Sequence, residues 1–305
     1  MPAELAEKAT VTGGRTQILG LALTPITLIN LGAQVTIVLT GGAVRLTGSG
    51  LGCSTVPQCT EDSFFPTQEL GVHGLIEFAN RGLGYVVGIV AILTFLAVWR
   101  SRRRDLYASA TAVAVGVAAQ GILGGVTVLT GLNPWTVMGH FLVSMSLIAA
   151  ATVLWLRADS SAARPPGSNG RSRPLIVCVA GVLAVVLVLG ALTTGSGPHS
   201  GDPSAGRTDL DLDLVSHLHA YSVYVLLALT LALLVLTRRG PAAVRRAVGW
   251  VLAAELLQGA IGVIQYNTNL PVLLVAAHMV GAGLLVVATV RLCFLGLAAD
   301  ARAAV

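Results

Sequence analysis

His140, His278 and the close pair His217 and His219 lie within about two helical turns of the same ends of apolar segments. An imidazole in hydrocarbon needs a partner, because the bilayer interior offers it no water. A hydrogen bond inside the bundle would satisfy any one of the four alone. Four at one depth point instead to coordinated cofactors, and two imidazoles facing each other from separate helices are the axial set of a low-spin haem. Glu77, Asn80 and Arg81 form a second polar group, and their spacing of three and four places them on one helical face. A carboxylate and a guanidinium at this depth can form a structural ion pair. Because they face the expected site of His140, the preferred reading makes Glu77 a proton-handling or radical-stabilising group and Arg81 a propionate or structural partner.

Such residues must be carried by membrane helices. The chain has 305 residues, of which 54% are hydrophobic and 11% charged, too little polar material for a water-soluble protein of this length. Eight apolar stretches, at about 18–40, 75–98, 107–129, 135–156, 174–194, 214–237, 247–265 and 271–295, are each long enough to cross roughly 30 Å of hydrocarbon as a helix. The expected fold is all-α, a polytopic membrane protein with eight transmembrane helices.

Of the 19 lysines and arginines, all but Arg45, Arg81 and Arg207 fall in the N-terminal tail, in the clusters 100–104, 157–173 and 238–246, or towards the C-terminal end. Those regions alternate with loops carrying Glu61, Asp62, Glu69, Asp202, Asp209, Asp211 and Asp213. The asymmetry predicts that both termini are cytoplasmic and that the histidines lie towards the outer face. The basic balance reflects orientation and gives no reason to propose nucleic-acid binding. The N-terminus lacks the short apolar core and small-residue site of a cleaved signal, so the first span is expected to stay.

An internal repeat organises the spans. Gln120-Gly121-Ile122-Leu123-Gly124 is echoed by Gln258-Gly259-Ala260-Ile261-Gly262, while Leu132, Pro134 and His140 recur as Leu270, Pro271 and His278. The Gln-to-His spacing is 20 in both copies. Thr47-Gly48-Ser49-Gly50 matches Thr194-Gly195-Ser196-Gly197. Four spans per copy preserve orientation, which predicts two parallel four-helix repeats related by a pseudo-twofold axis along the membrane normal. The divisions are an N-terminal half at 1–157, a flexible linker at 158–173 containing Pro165, Pro166 and Gly167, and a C-terminal half at 174–305. The second half pairs His219 or His217 with His278. In the first half His140 has Asn80 where symmetry would put a histidine.

Cys53 and Cys59 share the first outer loop, where an oxidising compartment favours a structural disulfide over a thiol relay. Cys178 and Cys293 lie in apolar spans and read as packing residues. Gln120 and Gln258 read as hydrogen bonders between helices, and His73 and His199 as interfacial hydrogen bonders. Glu255, nearer the middle of its span, is assigned no place in the active site.

Over nearly its whole length the chain resembles the heme A synthase family. The matching pieces are Gly41 through Cys53 (GGAVRLTGSGLGC), Glu77 to Arg81, Gln120 to Gly125 with His140, Gly195 to Asp202, and Gln258 with His278. The resemblance implies a bacterial plasma-membrane enzyme that oxidises the C8 methyl of haem O to the formyl group of haem A for cytochrome oxidase assembly, through an alcohol and a geminal diol. It implies haem b in the C-terminal half and haem O as substrate in the N-terminal half, beside Glu77, with Arg45, Asn80, Arg81 and His140 around it. Many members have histidine where this chain has Asn80, so the first site is expected to be five-coordinate through His140 or weakly six-coordinate.

The partners implied are haem O with its synthase as supplier, an unidentified electron donor and membrane lipid, with a homo-oligomer also compatible. Two other functions use the same residues. A diheme electron-transfer protein explains His219 and His278 but leaves Glu77 and Asn80 without a role. A haem carrier or transporter would bind the porphyrin without converting it.

Overall fold

In a bilayer the backbone must satisfy its own N–H and C=O groups, and long apolar stretches do so as helices. A computed structural model describes residues 17–18, 21–159, 170 and 172–297; the linker at 158–173 lies mostly outside the described residues. Among the described residues there are eight α-helices: α1 (Leu23–Leu46), α2 (Gly71–Arg100), α3 (Arg104–Leu129), α4 (Pro134–Ala158), α5 (Arg173–Ser196), α6 (Leu212–Thr237), α7 (Ala242–Asn267) and α8 (Val272–Gly296). All eight are long and apolar enough to cross a membrane. A two-residue pairing of β1 (Gln17–Ile18) with β2 (Leu21–Ala22) precedes them.

The main departure from the expected spans is α1, which runs to Leu46 instead of ending near 40. Gly41 and Gly42 do not break it, because Gly42 packs where a side chain would crowd Met279 of α8. A helix carrying Arg45 in its last turn continues because that guanidinium finds carbonyl partners, described below. α2 likewise starts earlier than expected, led by a 3₁₀ turn at Gln68–Leu70.

Consecutive helices pack as neighbours within each half, and α1–α4 and α5–α8 contacts close two four-helix rings. The halves meet through α4–α8, α1–α8 and α4–α5. A twofold operation exchanging α1 with α5 and α4 with α8 turns the second of these contacts into the third and maps the first onto itself. The pseudo-axis therefore passes between α4 and α8. Close approach there uses small residues, as expected where lipid supplies no hydrophobic drive between helices: a Cβ at Gly283 of α8 would lie 3.2 Å from Ile148 of α4.

The repeat extends to backbone conformation. Gly131 and Leu132 before α4 have φ of +62° and +56°, and Asn269 and Leu270 before α8 have +59° and +56°. The Leu132 N–H donates to the Thr127 carbonyl and the Leu270 N–H to that of Gln265, each at 2.8 Å. Two consecutive left-handed residues are rare outside glycine, so the shared turn sets both histidine-bearing helices at a common depth.

Candidate functional site

In the second half, His219 and His278 meet across the bundle from the diagonal helices α6 and α8. Their ring centroids are 6.4 Å apart and the ring planes are nearly perpendicular, at 77°. Two metal–imidazole bonds of about 2 Å each, with half a ring at either end, span about 6 Å, so the pair fits one metal between them. Among the described residues no three His, Cys, Asp or Glu side chains converge as a cage for a metal ion. Two imidazoles alone suit a metal that brings its own equatorial donors, as haem iron does. His219 Nδ1–H donates to the Val186 carbonyl at 3.1 Å. That bond fixes the tautomer and leaves Nε2 free to ligate. Each ring also rests over a helical glycine: a Cβ at Gly190 would lie 3.0 Å from His219 Cε1, and one at Gly262 3.5 Å from His278 Cε1.

His217 stands apart. It is exposed, its Nδ1 lies 2.7 Å from the Asp213 carbonyl, and its ring neighbours Tyr221. Two positions along a helix are rotated by more than half a turn, so only His219 faces His278.

In the first half, the His140 ring rests over Gly124, whose Cβ would lie 3.3 Å from its Cε1. Gln120 Nε2 donates to the His140 carbonyl at 2.9 Å and to Ser144 Oγ at 2.5 Å. The glutamine that reads from sequence as a hydrogen bonder between helices thus holds the backbone of the histidine twenty positions on. Asn80 Oδ1 accepts a 2.8 Å hydrogen bond from the Thr40 hydroxyl of α1. An echo of Tyr85-Val86 by Tyr224-Val225 places Asn80 opposite His219 in the repeat without reference to the histidines.

Glu77 and Arg81 belong to the first outer loop as much as to α2. Glu77 is 4% exposed. Its Oε2 accepts from the Cys53 N–H at 2.7 Å, and its Oε1 accepts from Arg81 Nε at 3.1 Å and Nη2 at 2.5 Å. Arg81 Nη1 donates to the Thr55 and Gln58 carbonyls, and Nη2 also to the Cys53 carbonyl. All five guanidinium N–H groups are thereby used, and none is left for a propionate. The loop they hold is closed by a disulfide between Cys53 and Cys59, as the sequence suggested. At Gly52 the loop lies against the His73 backbone so closely that a side chain would collide with it.

Arg45 ties the halves together. From α1 it donates through Nε to the His199 carbonyl at 2.6 Å and through Nη2 to the Thr194 carbonyl at 2.9 Å, both in the second half. His199 Nε2–H donates in turn to the Leu270 carbonyl at 3.0 Å, and Gly50 N–H to the Gly201 carbonyl at 2.8 Å. Arg207 donates to the Gly197 carbonyl. His73 is paired with Ser49 at 2.9 Å and lines an open cleft of about 480 Å³ with Glu69, Leu51 and Asp202. Glu255 is buried, its Oε1 accepting from Thr230 Oγ1 at 2.7 Å while Oε2 has no partner among the described residues. Cys293 packs on the core. Cys178 is exposed on the bundle's outer surface instead of packing inside it, because its position on α5 faces away from the neighbouring helices.

Sequence reasoning missed Thr40 and the three glycines beneath the rings. Gly124 and Gly262 were visible as the last residue of the repeated Gln-Gly motif, and Gly190 lies four residues before the repeated Thr-Gly-Ser-Gly.

Residues 25–198 match the model of a family described as cytochrome oxidase assembly protein, COX15-CtaA. The match includes Arg45, Cys53, Glu77, Asn80, Arg81 and His140. The chain is similar to the heme A synthase of Bartonella tribocorum, at 26% identity over 193 residues that are 52% of this chain and 54% of that protein. It is similar to that of Alkalihalophilus pseudofirmus at 30% over 125 residues, 40% of this chain and 41% of the other. With the heme A synthase of Bacillus cereus it shares 32% over 123 residues, 39% of each. The matched stretch thus spans about half the length of these relatives or less. Since the family match covers more than half of the chain and contains the whole polar group of the first half, the chain belongs to the COX15-CtaA family, that of the heme A synthases.

Proposed function

We propose that this chain oxidises haem O to haem A in a bacterial plasma membrane, for the assembly of cytochrome oxidase. The observation that carries this reading is the asymmetry of two otherwise matching halves. One has facing imidazoles 6.4 Å apart, and the other has His140 with an amide at the corresponding second position. A closed bis-imidazole pocket suits a resident haem b that carries electrons. A pocket with one imidazole suits a haem that is the substrate. The membership of the family and the similarity to heme A synthases favour the same assignment.

His219 and His278 would hold the resident haem, which supplies one-electron redox chemistry when bound. The Val186 carbonyl orients His219. His140 would hold the substrate haem, with Gln120 and Ser144 fixing its helix. Methyl oxidation runs through an alcohol to a geminal diol, which loses water to give the formyl group; oxygen and oxidising equivalents come from co-substrates outside the chain. Glu77 lies about a turn from Asn80, and both its oxygens are occupied by Arg81 and by the Cys53 N–H. Its geometry favours a positioning role, in which the Glu77–Arg81 pair holds the disulfide loop over the first pocket, over a role in moving protons.

The test is to purify the full chain from cells making haem O and identify the extracted porphyrins by mass. Haem A and its alcohol precursor are expected. Haem O and haem b returned unchanged, with an electron donor and oxygen supplied, would instead indicate a carrier or a diheme electron-transfer protein.

A further inference from the structure

The repeat allows residue 80 to be compared with residue 219 in its surroundings as well as its identity. The helices α1 and α5 have the same 24-residue length, and matching them end to end aligns Thr40 with Gly190 and Thr36 with Val186. In the second half, His219 is seated by the Val186 carbonyl and by the open face of Gly190. A Cβ at residue 190 would stand 3.0 Å from the ring, closer than ordinary van der Waals contact. The first half has a side chain there, Thr40, whose hydroxyl donates to Asn80 Oδ1 at 2.8 Å.

We propose that the N-terminal pocket is built as a one-histidine haem site, in which Thr40 holds position 80 as an amide and withholds the seat that Gly190 gives His219. The inference rests on the reading that the first half takes a haem.

Three observations distinguish a built site from a histidine that was merely lost. First, the amide oxygen of Asn80, its only atom able to approach a metal, is engaged by Thr40. Second, what remains is the NH₂ group, and an amide N–H donates and does not ligate. Third, the ligand and its seat differ together: position 80 lacks the ring, and position 40 carries a side chain where the second half has the glycine on which its ring rests. His140 keeps its own glycine at Gly124, so the difference is confined to one side of the pocket.

The experiment uses the full chain loaded with haem in the membrane or in detergent. Haem per chain is counted by extraction, and spin state is read by electron paramagnetic resonance and optical spectra. The unaltered chain is expected to hold two haems, one low-spin and one high-spin, and added cyanide should abolish the high-spin signal while leaving the low-spin one. Asn80→His alone should leave the high-spin signal in place. Asn80→His with Thr40→Gly should lose it and gain a second low-spin signal. The original low-spin signal at full amplitude reports that each variant is folded.

Conversion by Asn80→His alone would overturn the proposal, as would persistence of the high-spin signal in the folded double variant. Two haems that are both low-spin in the unaltered chain would overturn it without any variant. A count of one low-spin haem per chain is a different failure, since it removes the reading that the first half takes haem and the proposal with it.

Discussion

Arg81 Nη2 stands 2.5 Å from Glu77 Oε1, and between them these two side chains contact the backbone of Cys53, Thr55 and Gln58. Four residues apart on α2, they turn a short disulfide loop into part of the bundle. Removing one partner from a buried ion pair leaves an uncompensated charge, at a cost of about 3 to 5 kcal/mol. Glu77→Gln and Arg81→Ala should therefore loosen the loop to a similar degree, and the double variant should be little worse than either. The check is the rate at which a membrane-impermeant reductant opens the Cys53–Cys59 bond. Arg81→Lys should resemble Arg81→Ala, because an ammonium cannot reproduce five planar donors. If Glu77→Gln abolishes haem A formation while Arg81→Ala leaves both loop and product unchanged, Glu77 acts on protons and the positioning role is wrong.

His219→Ala and His278→Ala should each remove the low-spin spectrum of the resident haem, since each deletes one of two facing imidazoles. His217→Ala should leave it intact. The histidine is exposed and turned towards Asp213 and Tyr221. Difference spectra of the reduced minus oxidised protein, at matched chain concentration, separate the three variants.

The eight helices were legible because a bilayer demands length and apolarity, both of which are sequence properties. The repeat was legible because Gln120, Leu132 and His140 recur at a constant offset. Arg45 and Arg81 were not. Their positions identified them as buried cations, but their partners are backbone carbonyls that any residue type supplies, and Arg45 reaches His199 in the other half. Thr40 was also hidden, because a lone threonine in an apolar helix ordinarily bonds to its own backbone, as Thr36 does with the Gly32 carbonyl. The Thr40 hydroxyl also lies 3.3 Å from the Ile37 carbonyl of its own helix, and what differs is the closer Asn80 amide on the helix beside it, at 2.8 Å.

The Cys53–Cys59 disulfide should be found in protein prepared with free thiols blocked at lysis, as a cross-linked peptide in mass-spectrometric mapping. A six-residue separation closes a short loop, for which the chain-entropy estimate is about 2 kcal/mol. Cys53→Ser with Cys59→Ser should weaken the loop without dispersing the helices, because Glu77 and Arg81 still grip its backbone. The low-spin haem spectrum of the second half should survive. Loss of that spectrum would mean that the loop also supports the second pocket, through the contact of Gly50 with Gly201.

Gly190 and Gly181 lie on the same helix, α5, and allow a controlled test of how the His219 ring is seated. A Cβ at Gly181 meets nothing within 4 Å, whereas one at Gly190 comes within 3.0 Å of His219 Cε1 and 3.4 Å of its Nδ1. Alanine is better than glycine in a helix by about 1 kcal/mol, so Gly181→Ala should be neutral or mildly stabilising, with haem content unchanged. Gly190→Ala gains the same helix propensity but pushes the ring, which strains the bond from His219 Nδ1 to the Val186 carbonyl. Because that bond orients the ligand, the expected result is a fold that melts near the unaltered protein in the haem-free state, together with a lower haem content and a partly high-spin spectrum. Haem stoichiometry and thermal melting of the two variants measured side by side decide the matter. Equal haem content in both would show that the glycine beneath the ring is incidental, and would weaken the contrast between Thr40 and Gly190 on which the one-histidine pocket rests.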